Sequence, residues 1–183
     1  RSIGIVWSRN NIFAHGVPFS FPKYPDIGPG LTDLGKELVK ICNQKNILID
    51  LSHINEKGFW DVSKLSTQPL IATHSNVHEI CNHSRNLTND QLKAIKESDG
   101  IVGLNLATAF LRPDGQMKSD TDFEHILKHF DHLLEYLGED NVAIGSDFDG
   151  AIVPKKINDL AGMNELKKFM LNKDYSQEVV EKI

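Results

Sequence analysis

The chain has 183 residues, of which 40% are hydrophobic and 25% charged, and its formal net charge is -5 with a pI near 5.9. This is ordinary globular composition with enough length for one sizeable core, which excludes a disordered or collagen-like chain. The acidic balance and the lack of a Lys/Arg-rich run argue against a nucleic-acid surface, and no stretch approaches the ~20 apolar residues of a membrane-spanning helix.

A branched-aliphatic run at 3–6 predicts a short strand that ends on Trp7. Pro18, Pro22, Pro25, Gly28, Pro29 and Gly30 then forbid long regular structure and predict an extended loop. Thr32 caps a helix running to Lys45, with Leu34, Leu38, Val39, Ile41 and Cys42 near helical spacing. A strand at 47–51 follows, and Asn55 and Glu56 open a second helix to about Lys64. After a strand at 69–73 and a polar loop, Thr88 or Asn89 caps a helix carrying Leu92 and Ile95, which Gly100 ends. A fourth strand occupies 101–107, a turn falls at Pro113, Asp114 and Gly115, a long helix covers about 121–137, and a fifth strand lies at 142–146.

Strands alternating with helices of ten or more residues predict βαβ units and a parallel sheet. The expected fold is α/β, the C-terminal portion of a (β/α)8 TIM barrel with about five strands, in a single domain over residues 1–183. A whole barrel takes ~250 residues, so the chain reads as about three strands short on its N-terminal side. Half a barrel has two open edges, which predicts that these residues are part of a longer protein. Cys42 and Cys81 form no CxxC pair and read as free thiols packed as small apolar residues.

Three of the predicted strands stop at residues that bind metal or move protons: His53, His74 and Asp147. In a β/α barrel such strand ends converge on one mouth. A single strand-end histidine reads equally well as a satisfied structural residue, but two on neighbouring strands can share one zinc, which then needs a carboxylate from elsewhere. In Gly145-Ser146-Asp147-Phe148-Asp149-Gly150, Asp147 lies nearer the strand end and is favoured as the acid/base, with Asp149 as a turn or supporting residue. Arg85, on the loop beyond His74, suits bidentate capture of a carboxylate. Trp7 is expected to form an aromatic wall of the mouth. His125, His129 and His132 fall opposite the apolar stripe of the long helix and read as a solvated face, while His15, His78 and His83 read as surface loop histidines.

In their order, Asp50-Leu51-Ser52-His53, Thr73-His74-Ser75, Ser84-Arg85-Asn86 and Gly145-Ser146-Asp147-Phe148-Asp149-Gly150 resemble the membrane (renal) dipeptidase family. The stretch from Gly30 to Lys36 also resembles that family, and Val6-Trp7-Ser8-Arg9-Asn10 is similar to its bacterial branch. The resemblance implies a (β/α)8 metallopeptidase with two zinc ions that cleaves dipeptides with metal-activated water. It implies that His53 and His74 ligate one zinc, that Asp147 handles the water's proton, and that Arg85 holds the substrate's terminal carboxylate. The family's other ligands, a His-x-Asp pair and a bridging Glu, lie upstream of these residues. Trp7 stands where mammalian members carry a histidine against the scissile region, and His15 is the loop imidazole available to substitute for it. The partner is then a dipeptide, a homodimer is compatible, and the expected location is cytoplasmic. Two other readings stay open: an amidohydrolase-type metal hydrolase acting on a cyclic amide or ester, and an inactive barrel relative serving as a binding module.

Overall fold

The computed structural model describes residues 1–183. Five short strands, β1 (Ser2–Gly4), β2 (Leu48–Asp50), β3 (Ile71–Ala72), β4 (Ile101–Asn105) and β5 (Val142–Gly145), lie side by side in chain order. Every neighbouring pair is parallel, with Ile3 beside Ile49, Asp50 beside Ile71, Ala72 beside Val102 and Leu104 beside Ile144. Parallel neighbours need crossover connections, so all functional strand ends emerge on one side of the sheet. The fold is thus α/β, with the sheet of a partial TIM barrel, and β1 and β5 each pair on one side only.

The helices start where the caps predict. Thr32 Oγ1 accepts from Gly35 N–H at 3.1 Å to open α1 (Asp33–Gln44), and Asn55 Oδ1 accepts from Gly58 N–H at 3.0 Å to open α2 (Glu56–Leu65). Asn55 also donates its amide to Ile27 O and, at 2.9 Å, to Pro29 O, so the residue that starts α2 also fastens the proline-rich loop. Thr88, rather than Asn89, caps α3 (Asn89–Glu97) in a reciprocal box with Gln91. A short α4 (Thr108–Leu111) precedes α5 (Phe123–Leu137), and α6 (Met163–Leu171) and α7 (Gln177–Lys182) follow β5. The sequence reading had assigned no element to α4, α6 or α7.

Ile49, Leu51, Ala72, Val102 and Leu104 from the sheet side and Val39, Phe59, Leu92, Ile95 and Phe130 from the helices belong to one continuous apolar cluster. Apart from Ala72, each such side chain contributes about 1.5–3 kcal/mol when fully buried. Cys42 and Cys81 are free and buried, as expected of small apolar residues. Two glycines shape the sheet's exit. A Cβ on Gly103 or on Gly145 would run into the carbonyl oxygen of Thr73, so only bare backbone on β4 and β5 lets the end of β3 lean over them.

One expectation fails on α5. His129 is not solvated; it is wholly buried, its Nδ1 accepting from Val77 N–H at 3.0 Å and its Nε2 donating to Leu111 O at 3.0 Å. At about 100° per residue it stands only about 40° round the helix from Leu133, which is itself fully buried. The apolar stripe is wider than it looks, and α4 with the loop after β3 covers its flank. Burial holds the His129 imidazole neutral and lowers its pKa from the ordinary 6.5 to about 3. His132 remains half-buried, stacked on Tyr136 at 4.6 Å.

Candidate active site

His53 and His74 leave β2 and β3 on the same side, and their Nε2 atoms face each other at 2.8 Å. What stands behind each ring decides what that contact means. Thr73 Oγ1 donates its only proton to Asp50 Oδ2 at 2.6 Å, so toward His74 Nδ1, 2.8 Å away, it can only accept. His74 therefore carries its proton on Nδ1 and points a bare Nε2 lone pair at His53. Ser8 Oγ lies 2.9 Å from His53 Nδ1 and is free to rotate, donating or accepting. When it donates, His53 Nε2–H bridges to His74. When it accepts, both Nε2 atoms carry lone pairs on the same side of the mouth, and a tetrahedral cation between them would need the pair to part from 2.8 Å to roughly 3.3 Å.

Electrostatics keep both rings unprotonated in either state. Burial, then the nearby Arg85 charge, then His74 lower the His53 pKa to about 3, and burial and Arg85 lower that of His74 too. Both rings are neutral near pH 7, the form in which imidazole ligates metal. Burial alone would raise the Asp50 pKa, but hydrogen bonds from Ser52 and Thr73 outweigh it and keep the carboxylate ionised. Asp50 Oδ1 receives Ser52 Oγ at 2.6 Å and Thr73 N–H at 3.0 Å, so one carboxylate braces both histidine-bearing strand ends. His53 and His74 thus fit one metal ion as a two-nitrogen partial site. No group of three or more His, Cys, Asp or Glu side chains is placed to hold one.

Asp147 follows β5 with a φ of 58°, a left-handed backbone that costs a non-glycine residue about 1–3 kcal/mol. The turn is closed by Gly150 N–H on Asp147 O at 3.1 Å, and a Cβ on Gly150 would strike the Asp147 carboxylate. Asp147 Oδ2 accepts from Asn105 Nδ2 at 3.0 Å. Asp149 is exposed within the same turn.

Arg85 is almost fully buried and donates to Ser52 O and, at 3.2 Å, to His74 O, clamping the backbone of both histidine-bearing segments. Its Nε has no partner. Trp7 is 54% exposed, with its ring centroid 5.8 Å from His53 and 5.5 Å from Phe19. Together with Phe19, Phe21, Phe110, His53 and Asp147 it lines a cavity of about 430 Å³. The structure thus brings His53, His74, Asp147, Arg85 and Trp7 to one mouth. His15 is elsewhere, its Nδ1 3.3 Å from Gly30 O in a separate cleft. His83 is no surface histidine: it is buried against Phe110, 4.5 Å between rings, and burial and Arg85 lower its pKa to about 4.

The sequence reading passed over Asp50, Ser8, Thr73 and Asn105. Asp50 carried a signal, since an aspartate two residues before a serine in a strand-to-loop turn is an Asx-turn pattern. Asn105 was the one polar residue within the apolar run taken as the fourth strand.

A parallel βα sheet with histidines and a carboxylate at its C-terminal strand ends places this chain among the β/α-barrel proteins that build polar sites on their strand termini. Comparison with known proteins narrows that class. The model of the membrane dipeptidase family (peptidase family M19) matches residues 1–183, and the chain belongs to that family. It is 49% identical over 183 residues to an uncharacterized protein in the pqqA 5' region of Klebsiella pneumoniae, covering all of this chain and 68% of that protein. It is also similar, at 52% identity and a TM-score of 0.98, to a metallo peptidase from Rhodobacter sphaeroides solved with a phosphinate mimic of the dipeptide L-Ala-D-Ala. That match covers the whole of this chain and 52% of the Rhodobacter chain, so these residues span about half its length. The probable dipeptidase PvdM from Pseudomonas aeruginosa, at 21% identity and a TM-score of 0.87, shares the fold.

Proposed function

We propose that the complete protein is a zinc-dependent dipeptidase, and that this chain supplies one half of a two-zinc site together with the proton carrier. The observation that carries the proposal is the pair of neutral imidazoles facing each other at 2.8 Å beside a cavity shared with Asp147. Its support is the 52% identity to a metallo peptidase that binds a dipeptide mimic. His53 and His74 would hold one ion through Nε2, with their Nδ1 atoms tied to Ser8 and Thr73. When bound, zinc supplies an acidified water and stabilises negative charge on the peptide oxygen.

The chain's own residues do the rest. Asp147 takes a proton through Oδ1, the oxygen that Asn105 leaves without a hydrogen bond, and returns it to the departing amine. Arg85, buried beneath the mouth with its NH groups on Ser52 O and His74 O, brings positive charge under the place where the terminal carboxylate of a short substrate would sit. Trp7 and Phe19 wall the cavity against water, and Asp149 belongs to the turn rather than to the chemistry. The proposal includes a cytoplasmic setting, with which two unpaired buried thiols agree, and it admits a homodimer.

Zinc content and hydrolysis of L-Ala-D-Ala and L-Ala-L-Ala by the complete protein test this reading. Turnover should vanish on chelation, return with added zinc, and be lost in His53→Ala. Dipeptide hydrolysis that survives chelation would overturn it.

A further inference from the structure

The carboxylate proposed as proton carrier sits on a strained, half-exposed turn, yet its one described hydrogen bond leads straight into the most tightly held polar residue of the sheet. We infer that Asn105, itself held by Asn76, is a positioning residue that sets the Asp147 carboxylate for proton transfer. This rests on the proton-carrier reading of Asp147 given above.

Asn105 ends β4 and is wholly buried, as is Asn76. The Asn76 side chain grips the Asn105 backbone on both sides: Asn105 N–H donates to Asn76 Oδ1 at 3.0 Å, and Asn76 Nδ2 donates to Asn105 O at 2.9 Å. This bracket fixes where the Asn105 side chain starts. Its far end is fixed too, because Oδ1 accepts from Ala107 N–H at 2.6 Å. A backbone N–H can only donate, so the oxygen must lie on that side and the NH2 must face Asp147. One proton of the amide reaches Asp147 Oδ2 at 3.0 Å and the other lies 3.4 Å from His74 O. The amide therefore spans the strand end bearing a proposed metal ligand and the carboxylate proposed to move the proton.

The chemical consequence is directional. A donor locked onto Oδ2 stops the carboxylate from rotating and leaves Oδ1 as the proton-accepting oxygen. Within the left-handed turn the carboxylate is packed against Gly150 but receives no hydrogen bond from it, since Gly150 N–H goes to Asp147 O. The bracket by Asn76 uses Asn105 backbone atoms and survives truncation of the Asn105 side chain, whereas the bond from Ala107 N–H to Oδ1 does not, so Tm is read beside kcat.

The test is a double-mutant cycle in the complete, zinc-loaded protein, with dipeptide kcat, KM, zinc content and Tm measured for each variant. Asn105→Ala should lower kcat about 10- to 100-fold, the range typical of a lost supporting hydrogen bond, with KM and zinc content close to the parent values. Asn105→Asp keeps the acceptor for Ala107 N–H and nearly the same volume, so that bond is spared, and by turning a carboxylate toward Asp147 it should lower kcat at least as far, with Tm separating that loss from a loss of fold. In an Asp147→Asn background, Asn105→Ala should change the residual kcat by less than about twofold, because the two residues act as a unit. Independent, multiplying losses, a loss confined to KM, or loss of zinc from Asn105→Ala would each overturn the inference. Wild-type turnover by Asp147→Asn would instead remove the proton-carrier reading, whereas inactivity of Asp147→Asn beside full activity of both Asn105 variants would remove only the role of Asn105.

Discussion

The half-buried pair His53 and His74 and the wholly buried His129 are wired in opposite ways. His129 spends both ring nitrogens on backbone, Nδ1 on Val77 N–H and Nε2 on Leu111 O, and so acts as a rivet between α5, α4 and the loop after β3. His53 and His74 spend only Nδ1, on Ser8 and Thr73, and turn Nε2 toward each other. In all three, burial depresses the pKa, so neutrality does not separate the two kinds. The separation lies in the unspent nitrogen. A histidine whose two nitrogens are both consumed by backbone is structural, and one with a single tethered nitrogen keeps a lone pair for chemistry.

The sharpest way to break this contrast is to remove one ring of each kind. His74→Ala in the complete protein should lower dipeptide turnover by more than the ~10–100-fold typical of an outer partner, with zinc lost in parallel and urea unfolding little changed. A variant that unfolds but, where folded, turns over normally would place His74 with the rivets. His129→Ala should do the reverse. Leaving Val77 N–H and Leu111 O without partners beside a cavity should cost about 2–4 kcal/mol of stability by urea titration, while the folded fraction loses far less turnover than His74→Ala does.

The tethers offer a finer test. Thr73→Val removes the hydroxyl that fixes the His74 tautomer, and competition with a chelator should show zinc affinity weakened about 10- to 100-fold. Unchanged affinity would mean that the ring is oriented by packing alone. The smallest effect is in pH. Folded His129 stays neutral down to about 3, while in the unfolded chain its imidazole takes up a proton below the ordinary 6.5. The unfolded state then binds more protons, so stability falls as pH drops through that window, by at most about 1.4 kcal/mol per pH unit from this group. His129→Gln keeps an acceptor and a donor but cannot titrate, and its stability measured from pH 7 to 5 should decline less steeply. An equal slope in both proteins would assign the acid sensitivity to other groups.

The contrast also explains what the sequence could and could not reveal. Branched-aliphatic runs, the Thr32, Asn55 and Thr88 caps and the alternation of elements made the five strands and four of the helices legible, because these are local signals. The strand endings made His53, His74 and Asp147 legible as well, since the parallel arrangement puts such ends on one side. The wiring behind them was not. Whether a histidine is a rivet or a ligand depends on atoms far along the chain, with the Val77 backbone reaching His129 from 52 residues away and the Thr73 hydroxyl behind His74 reaching Asp50 from 23. The helical wheel misplaced His129 because a second layer, α4, covers the flank that the wheel alone leaves open. Asn105 stayed hidden inside an apolar run for the same reason, its partners Asn76 and Asp147 lying 29 and 42 residues away.

The hydroxyls of Ser52 and Thr73 both end on the two oxygens of Asp50, and Arg85 holds the backbone of the same two segments. The two histidine-bearing strand ends are therefore mechanically coupled, and a change at Asp50 would loosen both imidazoles together rather than one alone.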